Sequence, residues 1–220
     1  MELELEFTVD PELTDELREQ LIACWTDVSN AGGAVGFVPP VTMDDVSPVA
    51  VKALAGVAAG RDRLIVGRAV GPGPRSGSES GSGPRTGSGS ASASGAGSGS
   101  GSGLESDSGA GAGPDGEERL AAVAFITDEQ FQLTEHWRTV KRVMVHPDFQ
   151  GLGLGARLMA EVERVGREMG LEQLVLDCRG GTGNDEFYKK CGYEEYGRMR
   201  AALKLSADDY RDRIMMALEL

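Results

Sequence analysis

The chain has 220 residues, 40% of them hydrophobic and 26% charged, and a net charge of −13. No apolar run is long enough to cross a membrane, and so acidic a balance argues against nucleic-acid binding; it suits a cationic small substrate, although plain solubility accounts for it equally well. Cys24, Cys178 and Cys191 are an odd set without paired spacing, so a reduced, cytoplasmic protein with no metal site is the simplest reading.

The opening Met1-Glu-Leu-Glu-Leu-Glu has neither the basic region nor the apolar core of a signal peptide. Leu3 to Val9 alternates apolar residues with Glu and reads as a half-buried strand. Asp10-Pro11 reads as a helix start, with Leu13, Leu17, Leu21 and Trp25 along one face and an end near Asn30 to Gly33. Gly32 to Pro40 is a loop. A second helix is expected over Val46 to Ala59, with Val51, Leu54 and Val57 apolar and Gly60 as its stop. Leu64 to Val70 reads as a strand.

Residues 71–118 differ in kind. They are mostly Gly, Ser and Ala, with almost nothing to bury against their ordering entropy, so they read as a disordered low-complexity insertion in a strand–strand loop. Leu120 to Ile126 resumes as a strand and would pair with Arg63-Leu-Ile-Val as a hairpin. Long insertions cost little, because closure entropy grows with the logarithm of length. Residues 1–70 and 119–220 are therefore expected to form one domain.

Thr139 to Val145 reads as a strand, stopped by Pro147. Gly151, Gly153 and Gly155 then bare the backbone before Leu158, Met159, Val162, Val165 and Met169, which recur at helical spacing up to Gly170. Unpaired N–H groups at a helix N-terminus favour anions, so the stretch is expected to hold a phosphorylated cofactor. Gly151-Leu-Gly153-Leu-Gly155-Ala156, with Asp177 further on, satisfies the loose dinucleotide fingerprint. His146 to Gln150 separate the glycines from the strand, however, and too little chain follows for a dinucleotide domain. A P-loop is excluded, because no Gly-Lys-Ser/Thr follows. Leu174 to Asp177 reads as a buried strand ending at Asp177, Asp185 to Cys191 as a helix stopped by Gly192, Tyr193 to Gly197 as a short strand, and Ile214 to Leu220 as a last strand.

Gln150-Gly-Leu-Gly-Leu-Gly155 after Val143-Met-Val145 resembles the acetyl-CoA signature of the GCN5-related N-acetyltransferase (GNAT) family. Phe187-Tyr188-Lys-Lys-Cys-Gly192-Tyr193 resembles that family's second signature. Gly32-Gly-Ala-Val-Gly-Phe37, Met144-Val145, Leu176-Asp177 and Phe187-Tyr188 are most similar to its tabtoxin-resistance acetyltransferases. The resemblance implies an α+β fold, a mixed and mostly antiparallel sheet flanked by helices. It implies an acetyl-CoA-dependent transfer to the amine of a small molecule, by direct attack in a ternary complex. An amino-acid-like metabolite, antibiotic or toxin is the acceptor it suggests.

Site residues follow from the same resemblance. Gln150, Gly151, Gly153 and Gly155, with the N–H groups of Leu152, Leu154 and Ala156, would hold the CoA pyrophosphate. The backbone of Val143, Met144 and Val145 would pair with the pantetheine arm, and the Val145 N–H would polarise the thioester carbonyl. Tyr188 would protonate the leaving thiolate. Asp177 would hold the acceptor amine or take its proton. Thr139 stands where the family often has a glutamate, and Gly181 where it often has an asparagine. Arg157, Lys189 and Lys190 could meet CoA phosphates or remain solvated, and His136 and His146 read as ordinary surface histidines. The acceptor is expected against Gly32 to Pro40 and Trp137. A peptide N-acetyltransferase, a non-catalytic CoA-binding module and, more distantly, an NAD-dependent oxidoreductase stay open, as does a homodimer through an exposed sheet edge.

Overall fold

The computed structural model describes residues 4–70 and 118–220. The expected disordered insertion lies outside them, except for Glu118, which opens a strand. Among the described residues seven strands form one sheet. They are β1 (Glu4–Val9), β2 (Arg63–Val70), β3 (Glu118–Thr127), β4 (Trp137–Val145), β5 (Gln173–Arg179), β6 (Glu194–Lys204) and β7 (Tyr210–Glu219), in the order β1-β2-β3-β4-β5-β7-β6. Four helices, α1 (Asp15–Asn30), α2 (Met43–Ala58), α3 (Leu154–Glu168) and α4 (Asn184–Lys190), flank it. This is the mixed, mostly antiparallel α+β sheet that the sequence predicts.

Strand alternation sorts the core into two layers. Leu64 and Val66 of β2 meet α1 and α2 together with Val123, Phe125 and Met144. Ile65, between them, faces α3 with Ala122, Ala124 and Ile126. On α3 the stripe Leu158, Met159, Val162 and Val165 is buried, each side chain contributing about 1.5–3 kcal/mol against exposure. Gly170 takes a left-handed φ of +72° after α3, as its place beyond the last turn predicts.

Every neighbouring pair runs antiparallel except β4 and β5. That parallel pair is linked through α3 and is short: Trp137, Arg138 and Thr139 face Gln173, Leu174 and Val175, and the pairing stops there. Beyond Thr139 the two strands part, and the opening between them positions the site.

Several boundaries differ from the sequence reading. Asp10 does not cap α1. Its carboxylate accepts from the Leu64 N–H at 2.8 Å and pairs with Arg63, while Thr14 caps the helix by accepting from the Leu17 N–H. The second helix starts earlier, because Thr42 and Asp45 form a capping box. Its buried stripe is Val46, Ala50 and Leu54, leaving Val51 55% exposed. The expected short strand after Gly192 is eleven residues long, β6, an edge strand whose exposed residues gave no apolar alternation to read.

Candidate active site

β4 carries the decisive local feature. Its pairing with β3 slips between Val123 and Phe125, and Arg142 takes a left-handed φ of +55° at the slip. This is a β-bulge, which bends a strand and re-aims its side chains. It sits where β4 leaves β5, so the parting of the strands has a cause in the backbone. Val143 and Val145, two residues apart after the bulge, line the opening, whereas the Met144 side chain between them is fully buried against α1 and α2. Any part for Met144 in cofactor binding is therefore confined to its backbone.

The opening is a cleft of about 470 Å³. One wall is Thr139 to Val143 and Val145 of β4, and the other is Leu176, Asp177 and Cys178 of β5. Tyr188 of α4 also lines it, with only 8% of its surface exposed. Burial, reinforced by Cys178 and Cys191, raises the Tyr188 phenol well above the ordinary tyrosine range. Its hydroxyl is thus protonated at any physiological pH and meets no hydrogen-bond partner among the described residues. The Cys178 thiol is pushed up to about 11, chiefly by burial. Cys191 is raised by the same cause. Neither cysteine carries the lowered pKa of an activated thiolate.

Gln150, at the mouth, donates its side-chain N–H to the Val145 carbonyl at 3.0 Å and so ties the turn to the end of β4. The cleft lining ends there, and the glycine loop follows. Gly151 and Gly153 have φ of +78° and +77°, and a Cβ on either would meet nothing within 4 Å. The first backbone bond of α3 is Arg157 N–H to Gly153 O, so the N–H groups of Leu152, Gly153, Leu154, Gly155 and Ala156 find no acceptor among the described residues. Leu154 is buried beside Phe149 and pins this end of the helix. A Cβ on Gly155 would stand 3.2 Å from the Phe187 ring, which sets how closely α3 and α4 approach. An open row of free donors at the positive end of a helix fits a pyrophosphate.

Residues 115–195 match the model of the acetyltransferase (GNAT) domain. Over these residues the chain is similar to the GNAT acetyltransferases. Over 58 residues it is 29% identical to glucosamine 6-phosphate N-acetyltransferase 1 of Dictyostelium discoideum, a match spanning 26% of this chain and 36% of that protein. A putative acetyltransferase from Acinetobacter baylyi shares the fold with a TM-score of 0.61 at 14% identity, over 100% of this chain and 95% of that one. A putative acetyltransferase from Salmonella typhimurium, solved with its cofactor acetyl-CoA, gives 0.60 at 14% identity, over 99% and 94%. Acetyl-CoA is the cofactor of the GNAT family, and the loop described above fits its pyrophosphate.

The other predicted site residues divide. Asp177 lines the cleft but lies inside β5, not at its end, opposite Met215 of β7. It pairs with Arg213 through Oδ2, while Oδ1 has no hydrogen-bond partner among the described residues. Gly33, Ala34 and Val35 line the cleft, as the loop reading expects. Trp137 does not, because it sits in the paired stretch of β4, on Gln173, before the strands part. Arg157 donates to the Leu5 carbonyl at 3.1 Å, and Lys189 is paired with Glu186. His146 is not a free surface histidine. Its side chain is 16% exposed, with Nε2 3.3 Å from Asp27 and Nδ1 accepting from the Asp148 N–H.

Three further residues at the site were not among the expected site residues. Arg142 lines the cleft from the bulge. Glu129 accepts from the Thr139 hydroxyl at 2.6 Å, the foremost cause holding its carboxyl below the ordinary glutamate range. Asn184, at the start of α4, lines the cleft near Tyr188. A Lys-Arg pair before a valine-rich strand end was the sole sequence sign of Arg142, and nothing in it marks a bulge.

Proposed function

We propose that this chain is an acetyl-CoA-dependent N-acetyltransferase acting on a small amine, with residues 1–70 and 119–220 working as one catalytic domain. The observation that carries the reading is the cleft itself: buried, protonated Tyr188 faces the parting of β4 and β5, and a row of unpaired N–H groups follows at its mouth. The N–H groups of Gly151 to Ala156, with Gln150, hold the pyrophosphate. The backbone of Val143, Met144 and Val145 takes the pantetheine arm, and the Val145 N–H polarises the carbonyl. When bound, acetyl-CoA supplies an activated acyl carbon and a thiolate leaving group.

This chain's residues then manage the protons. Asp177 Oδ1 holds the acceptor ammonium and takes its proton, directly or through water, before the amine nitrogen bonds to the acyl carbon. As the carbon–sulfur bond breaks, Tyr188 gives its phenolic proton to the departing sulfur. The raised thiols of Cys178 and Cys191 favour this direct attack over an acyl-cysteine route.

The small-molecule reading is favoured over a peptide substrate by the wall at Gly33 to Val35. The Trp25 indole donates to the Val35 carbonyl at 3.1 Å, Asn30 holds Val41 at both its amide groups, and Arg179 donates to Phe37 O at 3.3 Å. These bonds tether the loop beside the cleft, which supports a small acceptor over a peptide. The resemblance to tabtoxin-resistance enzymes supports amino-acid-like antimetabolites as acceptors to try, and the name of the Dictyostelium relative suggests an amino sugar phosphate.

A thiol-release assay with acetyl-CoA against such amines tests the proposal. Release is expected with at least one of them. Tyr188→Phe lowers kcat on the order of 10²- to 10⁴-fold with acetyl-CoA binding retained, and Asp177→Ala raises the KM for the amine. Absence of any thermal shift with acetyl-CoA would remove the cofactor assignment, and full activity in Tyr188→Phe would remove the acid.

A further inference from the structure

Arg142 is placed in a way that packing does not explain. A left-handed φ on a residue that is neither Gly nor Asn is uncommon and costly. Its guanidinium lies 5.0 Å from the centroid of the Trp25 ring, a cation–π contact that fixes the plane of the fork. The loop is shaped around it. Gly36 has a φ of +105°, and a Cβ there would stand 3.0 Å from Arg142 Nη1. Among the described residues no carboxylate pairs with Arg142. Lys141, the other cation lining the cleft among the described residues, is engaged by Glu129, and outside the lining Arg179 is engaged by the Phe37 carbonyl and Arg213 by Asp177. Burial lowers the pKa of Arg142, as expected of a half-buried cation without an anion. Arg142 and Val35 line the cleft on the side of the α1–α2 loop, whereas Gln150 lines it at the mouth.

We propose that Arg142 binds an anionic group of the acceptor, a carboxylate or a phosphate, so that the substrates are small amines carrying a negative charge. This rests on the acetyl-transfer reading above. Asp177 and Arg142 line the same cleft from β5 and β4, so an amine and an anion on one small molecule meet opposite charges. The planar fork is matched to a bidentate oxyanion, and its stacking on Trp25 pre-organises it. The net acidity of the chain is then no guide to its substrate, because Arg142, a cation of the cleft with no carboxylate partner among the described residues, decides locally.

The test uses matched amines with acetyl-CoA and the full chain: L-phenylalanine against phenethylamine, L-lysine against cadaverine, and glucosamine 6-phosphate against glucosamine. Turnover is measured together with amine binding, followed by indole fluorescence in a Trp137→Phe background where Trp25 is the sole tryptophan. In at least one pair the anionic member is expected to lead on the order of 10- to 100-fold in kcat/KM. The pairs tell carboxylate from phosphate. Arg142→Gln is expected to erase the lead, lowering kcat/KM for the anionic member by that factor relative to its neutral partner. Should Arg142→Gln fail to fold, Arg142→Lys carries the same comparison, keeping the charge without the fork and reducing the lead. Equal loss for both members of every pair would make Arg142 a packing residue and overturn the proposal. Turnover without preference, and fluorescence indifferent to the substitution, would remove the anion site and leave acetyl transfer standing. No turnover, with an anion-dependent fluorescence change that Arg142→Gln abolishes, would remove acetyl transfer and leave the anion site standing.

Discussion

The two ends of the cleft are built from different materials. The mouth is backbone. Two left-handed glycines expose a row of N–H groups without acceptors among the described residues, the proposed pyrophosphate site, and the side chains mainly stay out of the way. The inner end is side chains. Arg142, Val35 and Asp177 line it from β4, the α1–α2 loop and β5, and Trp25 of α1 stacks on Arg142, which sits at the bulge. A backbone site serves a constant ligand, since any sequence that keeps the dihedral angles keeps the site. A side-chain site can be retuned by one substitution. Division of labour between a fixed cofactor and a specific acceptor follows from that contrast, and each end can be broken separately.

The mouth gives the largest effect. Gly153→Val forces a β-branched residue into a φ of +77°. It is expected to cost about 1–2 kcal/mol of stability or more, since the left-handed region carries that penalty for L-residues. The branched side chain would also stand beside the N–H row, so the KM for acetyl-CoA is expected to rise by about 10- to 100-fold, the loss of one or two charge-assisted bonds. The KM for the amine should hold. Steady-state kinetics with each substrate varied in turn would show it, and an equal rise in both would mean that the ends are coupled.

Between the ends lie Tyr188 and Cys178, and disturbing them reaches both. Both groups have folded-state pKa values raised by burial, Cys178 to about 11. A raised acid of this kind contributes stability that is fully present below its unfolded pKa and is lost as pH climbs through the folded value. For the thiol that window runs from about pH 9 to 11, and the phenol adds to it above about pH 10. A loss on the order of 1–2 kcal/mol by pH 11 is expected, with the partial exposure of this region to solvent taken into account. Urea titrations across that range check it. A midpoint unchanged from pH 8 to 11 would show that these groups are not shielded in the folded protein.

The same contrast explains what the sequence disclosed. Gln150-Gly-Leu-Gly-Leu-Gly155 announced the mouth, because a backbone site leaves its mark as glycine spacing. The strands β2, β3 and β5 and the helix α3 were legible from alternation and helical period. The inner end was not, because its parts are brought together by register. Arg213 reaches Asp177 because β7 pairs with β5 thirty-six residues away, and no local pattern carries that number. Trp137 looked like a wall because it precedes the cofactor strand, but the strand is still paired at that point. Asp10 looked like a helix cap because Asp-Pro usually is one, yet the β2 backbone claimed its carboxylate first. Arg142 was invisible for a further reason. Bulges in sequences with no glycine are set by the partner strand, so Lys-Arg-Val reads as an ordinary strand until β3 is placed beside it.

The smallest effect is the sharpest test of that inner end. Gly36 touches the Arg142 guanidinium and no reacting group, so Gly36→Ala probes the loop's fit without removing any charge. Its Cβ would meet Nη1 at 3.0 Å and Cζ at 3.2 Å, and a flexible side chain can yield that much. The φ of +105° adds strain, so a stability loss of about 1 kcal/mol is expected. The guanidinium would be pushed off the Trp25 face, and the KM for an anionic amine is expected to rise by about three- to tenfold, the worth of a misaligned charge-assisted bond. A neutral amine should be unaffected, and so should acetyl-CoA. If Gly36→Ala left the anionic amine untouched while Arg142→Gln weakened it, the loop would be a passive wall and Trp25 alone would hold the fork. If it weakened both amines equally, the loop would act through the shape of the cleft and not through the position of the arginine.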